Sequence, residues 1–341
     1  MLQKNFFAHR AGLGCMGYSW GYSLPGQLDD EHSIRSIRQA YDAGVRHFDT
    51  SDMYGSGHNE TLLSRALEGL HDVCIATKGG IIVDSVEPLS MHLNGAPEYI
   101  SAAIDNSLKR LGRDHIELYY LHRVDPNTPI EETMTALARA QQQGKIGAIG
   151  VSEPDAQTLS RALDVVKIDV VQSELSVWTR DPLKGSETET SGAVSADSTE
   201  SVSLTRSYES NTLSVMELCA ANDIKFVAFS PLGRGFLTGK LDVSTLKKND
   251  FRQWMPRFQD EARKRNQNIV DTLTSIAQRH GAHPSQVALA WVYAQGENVY
   301  AIPGSRKIEH VRQNMEAEKL TLSNQEIAEI TAVPLPQESR Y

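Results

Sequence analysis

The regular alternation of short apolar runs with amphipathic segments is the feature that most constrains how this chain can fold. Eight apolar runs predict strands at residues 9–14, 46–51, 73–78, 116–121, 146–151, 168–173, 225–230 and 299–303. Helical patterns lie between most of them, at residues 31–43, 59–69, 97–111, 130–143, 155–164 and 211–221. Strands that alternate with helices pair in parallel through crossover connections. Eight such units predict an α/β fold, a single TIM-type (β/α)8 barrel of parallel strands formed by residues 1–341.

Two long connections depart from this alternation. In residues 185–210, twelve of the 26 positions are Ser or Thr and few are large and apolar. Such a composition cannot offset the entropy lost on ordering, so we expect a low-complexity, mobile loop insertion after the sixth strand. Residues 240–261 form the second connection, after the seventh strand. Loops in that position build the active sites of barrels, so we expect this one to help cover the site.

The charge and composition argue against several classes of partner. The net charge is −9 without a basic block, whereas nucleic acid binding needs a positive surface. No apolar run reaches the length of a membrane span, and the first ten residues lack the apolar region of a signal peptide. Cys15, Cys74 and Cys219 lie far apart, which is typical of a reduced intracellular protein. We expect a cytoplasmic protein that binds neither nucleic acid nor membrane, and the oligomeric state is not indicated.

The stretch GLGCMG at residues 12–17 matches the dinucleotide-binding pattern G-x-G-x-x-G. That pattern indicates dinucleotide binding only where it joins a strand to a helix, because the N-terminus of that helix contacts the pyrophosphate. Here Gly21, Pro25 and Gly26 follow, so no helix begins there. We interpret the stretch as the turn after the first strand rather than as a Rossmann motif.

Four chemically active side chains lie at or just after the ends of three neighbouring predicted strands. Asp49 ends the second strand, Tyr54 follows it, Lys78 ends the third and His122 follows the fourth. Catalytic residues of barrels lie at these carboxyl ends. A tyrosine, with an ordinary pKa of about 10, exchanges protons poorly at neutral pH unless a cation stabilises its phenolate. Lys78 can be that cation, Asp49 can pair with it, and His122 can hydrogen-bond the substrate carbonyl that Tyr54 protonates.

The chain resembles the aldo-keto reductase family, whose (β/α)8 barrels use NADPH without a Rossmann domain. The similar stretches follow in family order and are FDTSDMYG, ATKGG, LYYLHR, IGVSE, VVQSE, FSPLGRGFLTGK and AIPGSRKIEHVRQNMEA. DFRQWMPRF is similar to the branch that includes plant perakine reductase and auxin-induced reductase-like proteins. The resemblance implies a catalytic tetrad of Asp49, Tyr54, Lys78 and His122 and an extended NADPH across the barrel mouth, with no metal site.

The resemblance also implies which residues hold the cofactor. Ser152 and Gln172 would bind the nicotinamide carboxamide, and Arg306 or Lys307 would bind the 2′-phosphate. Backbone N–H groups after the seventh strand would approach the pyrophosphate, and Ser305 would cap a helix whose N-terminus favours anions. The implied cofactor residues are Met16, Asp49, Ser152, Gln172, Ser230, Pro231, Leu232, Gly233, Arg234, Gly235, Leu237, Gly239, Lys240, Ile302, Gly304, Ser305, Arg306, His310, Gln313 and Asn314.

The substrate pocket is less well defined by the sequence. Tyr54 and His122 would meet the reacting carbonyl, and Trp20, Trp178 and residues 251–258 are the expected walls. Leu175 stands where the family usually has an aromatic side chain that stacks on the nicotinamide, so that contact must be aliphatic or come from elsewhere. The identity of the carbonyl substrate is not indicated.

Two alternatives to an NADPH-dependent reductase of aldehydes or ketones stay open. A regulatory subunit could keep the fold and NADPH while acting on a partner protein, although the intact set of four argues against lost chemistry. A metal-dependent barrel hydrolase would carry His-x-His at the end of the first strand, where this chain has Gly14, Cys15 and Met16.

Overall fold

Eight parallel strands form the centre of the molecule. The computed structural model describes residues 7–22, 29–86, 89–185, 213–247 and 250–340. Its strands are β1 (Leu13–Gly14), β2 (His47–Asp49), β3 (Cys74–Gly79), β4 (Ile81–Val86), β5 (Leu89–Leu93), β6 (Ile116–Leu121), β7 (Ile146–Ser152), β8 (Val170–Glu174), β9 (Lys225–Phe229) and β10 (Val299–Ala301). The main sheet has the order β1-β2-β3-β6-β7-β8-β9-β10, and β4 and β5 form a separate antiparallel hairpin.

The main sheet closes between β10 and the residues that precede β1. The Gly12 N–H donates to the Ala301 carbonyl at 2.8 Å, and the Ala301 N–H donates to the Arg10 carbonyl at 2.8 Å. These bonds make a parallel bridge between Ala11 and Ala301. Neighbouring strands of the sheet are all parallel. The prediction of a (β/α)8 barrel is confirmed.

Helices surround the barrel, and several begin and end at the residues that favour a terminus. Those in the described ranges are α1 (Asp30–Asp42), α2 (His58–Ala66), α3 (Pro97–Leu111), α4 (Ile130–Gln142), α5 (Ala156–Leu163), α6 (Val215–Ala221), α7 (Asp260–His280), α8 (Pro284–Tyr293), α9 (Ile308–Glu316) and α10 (Asn324–Ala332). The Asp155 carboxylate accepts the Thr158 N–H at 2.6 Å and caps α5. Gly112 ends α3 at a φ of 63°, where glycine is favoured.

Several predicted boundaries differ from the observed ones. The first strand, predicted at 9–14, is only Leu13–Gly14. The helix predicted at 211–221 begins at Val215, because Ser214 and Glu217 form a capping box that fixes its start. The β4–β5 hairpin was not predicted. The insertion predicted at 185–210 falls almost wholly on residues 186–212, outside the described residues, so its expected mobility stays a prediction.

The barrel interior is filled by a cluster separate from the layer under the helices. Its members alternate along the strands, as residues on one face of a sheet do, and are Phe7, Cys74, Ala76, Leu118, Tyr120, Ala148, Val170, Val227 and Ile302. Gly150 makes room for Tyr120, since a Cβ there would lie 2.2 Å from the Tyr120 ring. This packing supports the site above it. Within the described residues, no helix has the length and apolar character of a membrane span.

Candidate active site

A cavity of about 950 Å³ opens at the carboxyl ends of the barrel strands. Its lining includes Asp49, Ser152 and Phe229, the last residues of β2, β7 and β9, and Gln172 in the middle of β8. Three of the four predicted catalytic residues, Asp49, Tyr54 and His122, line it directly. The cavity therefore lies where barrel enzymes place their active sites.

Asp49 and Lys78 form a buried ion pair beneath the cavity. Lys78 Nζ lies 2.5 Å from Asp49 Oδ1 and also donates to the Thr50 carbonyl at 2.8 Å. The amide of Gln172 donates to the second oxygen of Asp49 at 2.8 Å. Lys78 is 1% exposed and Asp49 is 3% exposed. Burial lowers the pKa of Lys78, and Asp49 opposes that effect. The ammonium is therefore held in one place.

Tyr54 lies within reach of this ammonium. Lys78 Nζ is 5.5 Å from the centroid of the Tyr54 ring. The Tyr54 and His122 rings are 6.0 Å apart and nearly perpendicular. Tyr54 precedes a tight turn into α2, where Gly57 has a φ of 91° that favours glycine. The structure thus brings together all four residues of the predicted tetrad.

His122 is held by a residue that sequence reasoning missed. Its Nδ1 lies 3.0 Å from the hydroxyl of Ser51, which belongs to the same loop as Tyr54. Burial, reinforced by the positive charges of Lys78 and Arg123, holds the pKa of His122 well below its ordinary value. The imidazole is therefore neutral at physiological pH and can donate one hydrogen bond.

Asp52 is a second residue that sequence reasoning missed. The Ser51 hydroxyl lies 3.2 Å from Asp52 Oδ1, so Asp52 is linked to His122 through Ser51. Burial and the nearby Glu60 raise the pKa of Asp52 to about 7. Arg110 opposes this shift, but its Nε is already paired with Glu60 at 2.5 Å. Asp52 is thus a carboxyl group that titrates near neutral pH.

Replacing Asp52 by Asn should raise the free energy of unfolding by about 2 kcal/mol at pH 8 and change it little at pH 4. The pKa of Asp52 is about 7 in the folded protein against an ordinary 3.8, so folding favours the protonated carboxyl. This contribution to stability is present below pH 3.8 and is lost as the pH rises through 7. The expected value is half of the roughly 4 kcal/mol that the full shift represents, because water reaches part of the carboxyl.

Urea unfolding of wild type and Asp52→Asn at pH 4, 6 and 8 measures this effect. Asp114→Asn is the matched control, since Asp114 is exposed, and it should change stability equally at all three pH values. A difference between Asp52→Asn and wild type that is the same at pH 4 and pH 8 would contradict the assignment.

Ser152 and Gln172 occupy the cavity wall beside the tetrad. The Ser152 hydroxyl accepts a hydrogen bond from Arg123 Nη1 at 3.0 Å, and the same nitrogen donates to the His122 carbonyl at 2.8 Å. Arg123 also lines the cavity and was not predicted, although it directly follows His122 in the sequence. Leu175 is fully buried in the main core. Phe229, the last residue of β9, also lines the cavity, and its ring centroid lies 5.8 Å from the Arg123 guanidinium.

The loop after β9 has several residues in the left-handed region. Ser230, Gly233, Arg234 and Gly235 have φ values of 48°, 55°, 54° and 100°. Such turns can present backbone N–H groups to an anion. Arg234 lines the cavity, but its guanidinium makes two bonds to Glu174, at 3.1 and 3.0 Å, and is buried. Its charge is therefore largely balanced within the protein.

Residues that follow β10 also line the cavity. They are Ile302, Gly304, Ser305 and Arg306. The prediction that Ser305 caps the following helix is wrong, because α9 begins at Ile308 and its N-cap residue is Lys307.

Two hydrogen bonds anchor the segment that precedes the helix. The carbonyl of Ser305 accepts the Tyr18 hydroxyl, and the carbonyl of Arg306 accepts the Ser36 hydroxyl, both at 2.9 Å. These carbonyls are therefore engaged outside the helix. The exposed side chain of Arg306 remains at the cavity edge.

The implied cofactor residues divide into two groups by position. Those that line the cavity are Met16, Asp49, Ser152, Gln172, Ser230, Pro231, Leu232, Arg234, Ile302, Gly304, Ser305 and Arg306. The remainder lie outside its lining and are Gly233, Gly235, Leu237, Gly239, Lys240, His310, Gln313 and Asn314. In the described parts of the chain, no cluster of three or more His, Cys, Asp or Glu side chains could hold a metal ion.

Of the residues predicted to form the substrate walls, some line the cavity and one does not. Trp20 lines the cavity, as do Phe251 and Trp254 from the second long connection. Trp178 does not, in contrast to the prediction: it is 2% exposed and its ring stacks on Phe236 at 4.4 Å. The β4–β5 hairpin forms a wall that sequence reasoning missed. Two runs of strand-forming residues separated by only two positions, 87–88, were the available signal.

Comparison with known proteins relates the whole barrel to one family. The sequence profile described as "Aldo/keto reductase family" matches residues 10–190 and 199–334. A protein of Glycine max named "Probable aldo-keto reductase 1" is 38% identical over 335 residues, which cover 97% of this chain and 87% of that protein. The "Aldo-keto reductase yakc [NADP(+)]" of Schizosaccharomyces pombe is 35% identical over 323 residues, which cover 94% and 86% of the two chains.

Solved structures show the same fold. A glycerol dehydrogenase from Gluconobacter oxydans has a TM-score of 0.77 and 26% identity, with 95% of this chain and 90% of that chain covered. An aldo-keto reductase from Klebsiella pneumoniae, solved in complex with NADPH, has a TM-score of 0.65 and 22% identity, with coverage of 96% and 92%.

Proposed function

This chain belongs to the aldo/keto reductase family, and we propose that it reduces an aldehyde or ketone to the alcohol with NADPH, with Tyr54 as the proton donor. The observation that carries this proposal is the buried Asp49–Lys78 pair, with its ammonium 5.5 Å from the Tyr54 ring at the cavity floor. A cation in that position favours release of the phenol proton, which general acid catalysis requires.

The donor set along one half of the cavity fits NADPH. Ser152 and Gln172 offer the hydroxyl and amide groups that a carboxamide requires. The exposed Arg306 at the cavity edge provides charge for a phosphate group. The left-handed turn that includes Ser230 and Arg234 lines the same cavity and is of the kind that binds anions. We infer that Phe229 supplies the aromatic contact that Leu175 does not. When bound, NADPH supplies the hydride.

The residues of this chain then have distinct tasks. The Ser51 hydroxyl is hydrogen-bonded to Nδ1 of His122 and orients the ring, so Nε2 is the ring nitrogen that we assign to the substrate carbonyl oxygen. Tyr54 transfers its phenolic proton to that oxygen as the carbonyl becomes an alkoxide. Lys78 stabilises the phenolate that remains, and Asp49 fixes Lys78 in place. The neutral state of His122 suits a hydrogen-bond donor that does not compete with Tyr54 as an acid.

Arg306→Ala should weaken NADPH binding about 10- to 100-fold and leave NADH binding within about twofold. Of Arg306 and Lys307, only Arg306 lines the cavity. We therefore expect Arg306 to bind the 2′-phosphate, a group that NADH lacks. Fluorescence titration of both cofactors measures the effect. Lys307→Ala is the matched control, since Lys307 is exposed beside it but does not line the cavity. Equal loss of both cofactors in Arg306→Ala would contradict the assignment.

Oxidation of NADPH with a panel of aldehydes and ketones tests the proposed function itself. We expect a fall in absorbance at the cofactor's near-ultraviolet band that depends on the carbonyl compound. Tight NADPH binding without oxidation by any member of a chemically broad panel would overturn it.

A further inference from the structure

Exposed apolar side chains are concentrated at the mouth of the active-site cavity. Among the described residues, the large apolar side chains that are exposed are Val86 at 38%, Leu89 at 54%, Met91 at 45%, Val165 at 36% and Trp254 at 66%. All except Val165 line the same cavity as Tyr54 and His122. Single exposed apolar residues are ordinary, but a group of them lining one cavity is typical of a binding or interaction surface.

The β4–β5 hairpin forms one side of this mouth. Leu89, Met91 and Leu93 alternate along β5, so they lie on the same face of the hairpin. The register shifts between Val83 and Ser85. A one-residue shift of this kind brings Val86 to the same face as Ile81. The result is a continuous apolar face directed at the cavity.

The second side is the 3-10 turn Phe251–Gln253 with Trp254. The Phe251 N–H donates to the Gly21 carbonyl at 3.2 Å, and the Phe251 ring lies 5.2 Å from the Tyr22 ring. The Arg252 guanidinium lies over Tyr22 at 4.6 Å. These contacts fix the backbone of the turn, while the Trp254 ring stays largely exposed at the cavity edge.

Few hydrogen-bonding groups accompany these walls. On the hairpin, His92 lines the cavity, but its Nδ1 is already bonded to Asp84 at 2.9 Å. Other polar side chains that line the cavity, among them Ser152, Gln172 and Arg306, come from outside the hairpin and the Phe251–Trp254 segment. A molecule that extends from Tyr54 to the mouth therefore meets an apolar surface outside the reacting centre.

We propose that the substrate carries a long apolar body, an alkyl or arylalkyl chain, which lies between the β4–β5 hairpin and Trp254 while its carbonyl lies at Tyr54 and His122. This inference rests on the proposed reductase function. The occupant is a small molecule because the patch is continuous with the cavity that holds the reacting groups. Each methylene buried against these walls adds binding free energy from the hydrophobic effect.

A chain-length series of straight aldehydes, from propanal to octanal, tests the proposal. In wild type, kcat/KM should rise about two- to fourfold per added methylene, as expected for transfer of a CH₂ group from water to an apolar surface. Variants Met91→Ser and Trp254→Ser should lower kcat/KM for octanal at least tenfold and change that for propanal less than twofold. Val165→Ser, which removes the exposed apolar side chain away from the cavity, should leave the whole series unchanged.

The outcomes separate this inference from the proposed function. If wild type reduces propanal and octanal equally well, the substrate inference fails while the reductase function stands. If wild type reduces no aldehyde or ketone, both fail. If Met91→Ser or Trp254→Ser changes the molecular mass in size-exclusion chromatography and not the chain-length dependence, the patch is an interface between copies and the inference is overturned.

Discussion

Replacing Lys78 by Met should lower turnover by at least a hundredfold and weaken the fold by about 3–5 kcal/mol. Turnover falls because Tyr54 loses the cation that stabilises its phenolate. Stability falls because Asp49, 3% exposed, would be left as a buried charge with only the Gln172 amide and the surrounding protein to solvate it. Steady-state NADPH oxidation and urea unfolding of the same preparations measure the two effects.

A double variant separates the effect on turnover from the effect on stability. Asp49→Asn combined with Lys78→Met removes both charges, so it should regain most of the lost stability, since no ion remains without a partner. It should not regain turnover, because the ammonium is still absent. A Lys78→Met enzyme that keeps wild-type turnover, or a double variant that recovers it, would contradict the role assigned to Lys78.

Tyr54→Phe should lower turnover by several orders of magnitude, up to about 10⁴-fold, while NADPH binding stays within about threefold of wild type. The substitution removes the one hydroxyl that we assign to proton transfer and keeps the ring. NADPH affinity should persist because the polar groups assigned to the cofactor, such as Ser152 and Gln172, are unchanged. Stopped-flow absorbance gives the turnover, and cofactor fluorescence gives the affinity.

Tyr22→Phe is the matched control for this variant. Tyr22 is also a phenol that lines the cavity, but its ring packs on Phe251 and lies under Arg252 rather than beside Lys78. Its loss should change turnover only a few-fold. Near-normal reduction by Tyr54→Phe would refute the assignment of the proton donor, and equal losses in the two variants would show that any cavity phenol has the same effect.

The fold could be predicted because buried parallel strands have a strong sequence signature. Both faces of such strands are covered, so they appear as near-continuous apolar runs, and the run predicted at 116–121 is observed as β6. The shortest strands were overestimated. β1 has two residues, since the backbone of Arg10 and Ala11 pairs with β10 as an isolated bridge rather than as a ladder. The number of residues that pair where the first and last strands meet depends on how the barrel closes. A local sequence pattern does not predict that closure.

The tetrad could be predicted because each member lies at or just beyond a strand end, where topology alone brings side chains together. Ser51, Asp52 and Arg123 could not, since their roles arise from contacts made after folding, such as the Ser51–His122 hydrogen bond. The ion pair of Arg234 is a further example. Arg234 lies in a glycine-rich loop, and its pairing with Glu174, on the neighbouring strand β8, arises only in the folded chain.

Transfer of label from deuterated NADPH tests the central claim most directly. NADPH deuterated at both C4 positions is incubated with enzyme and octanal, and the alcohol is analysed by mass spectrometry. We expect one deuterium per alcohol molecule, bound to the former carbonyl carbon, and none above background with Tyr54→Phe over the same time. Alcohol without deuterium, or labelled alcohol formed equally fast by Tyr54→Phe, would contradict hydride transfer with protonation by Tyr54 at this site.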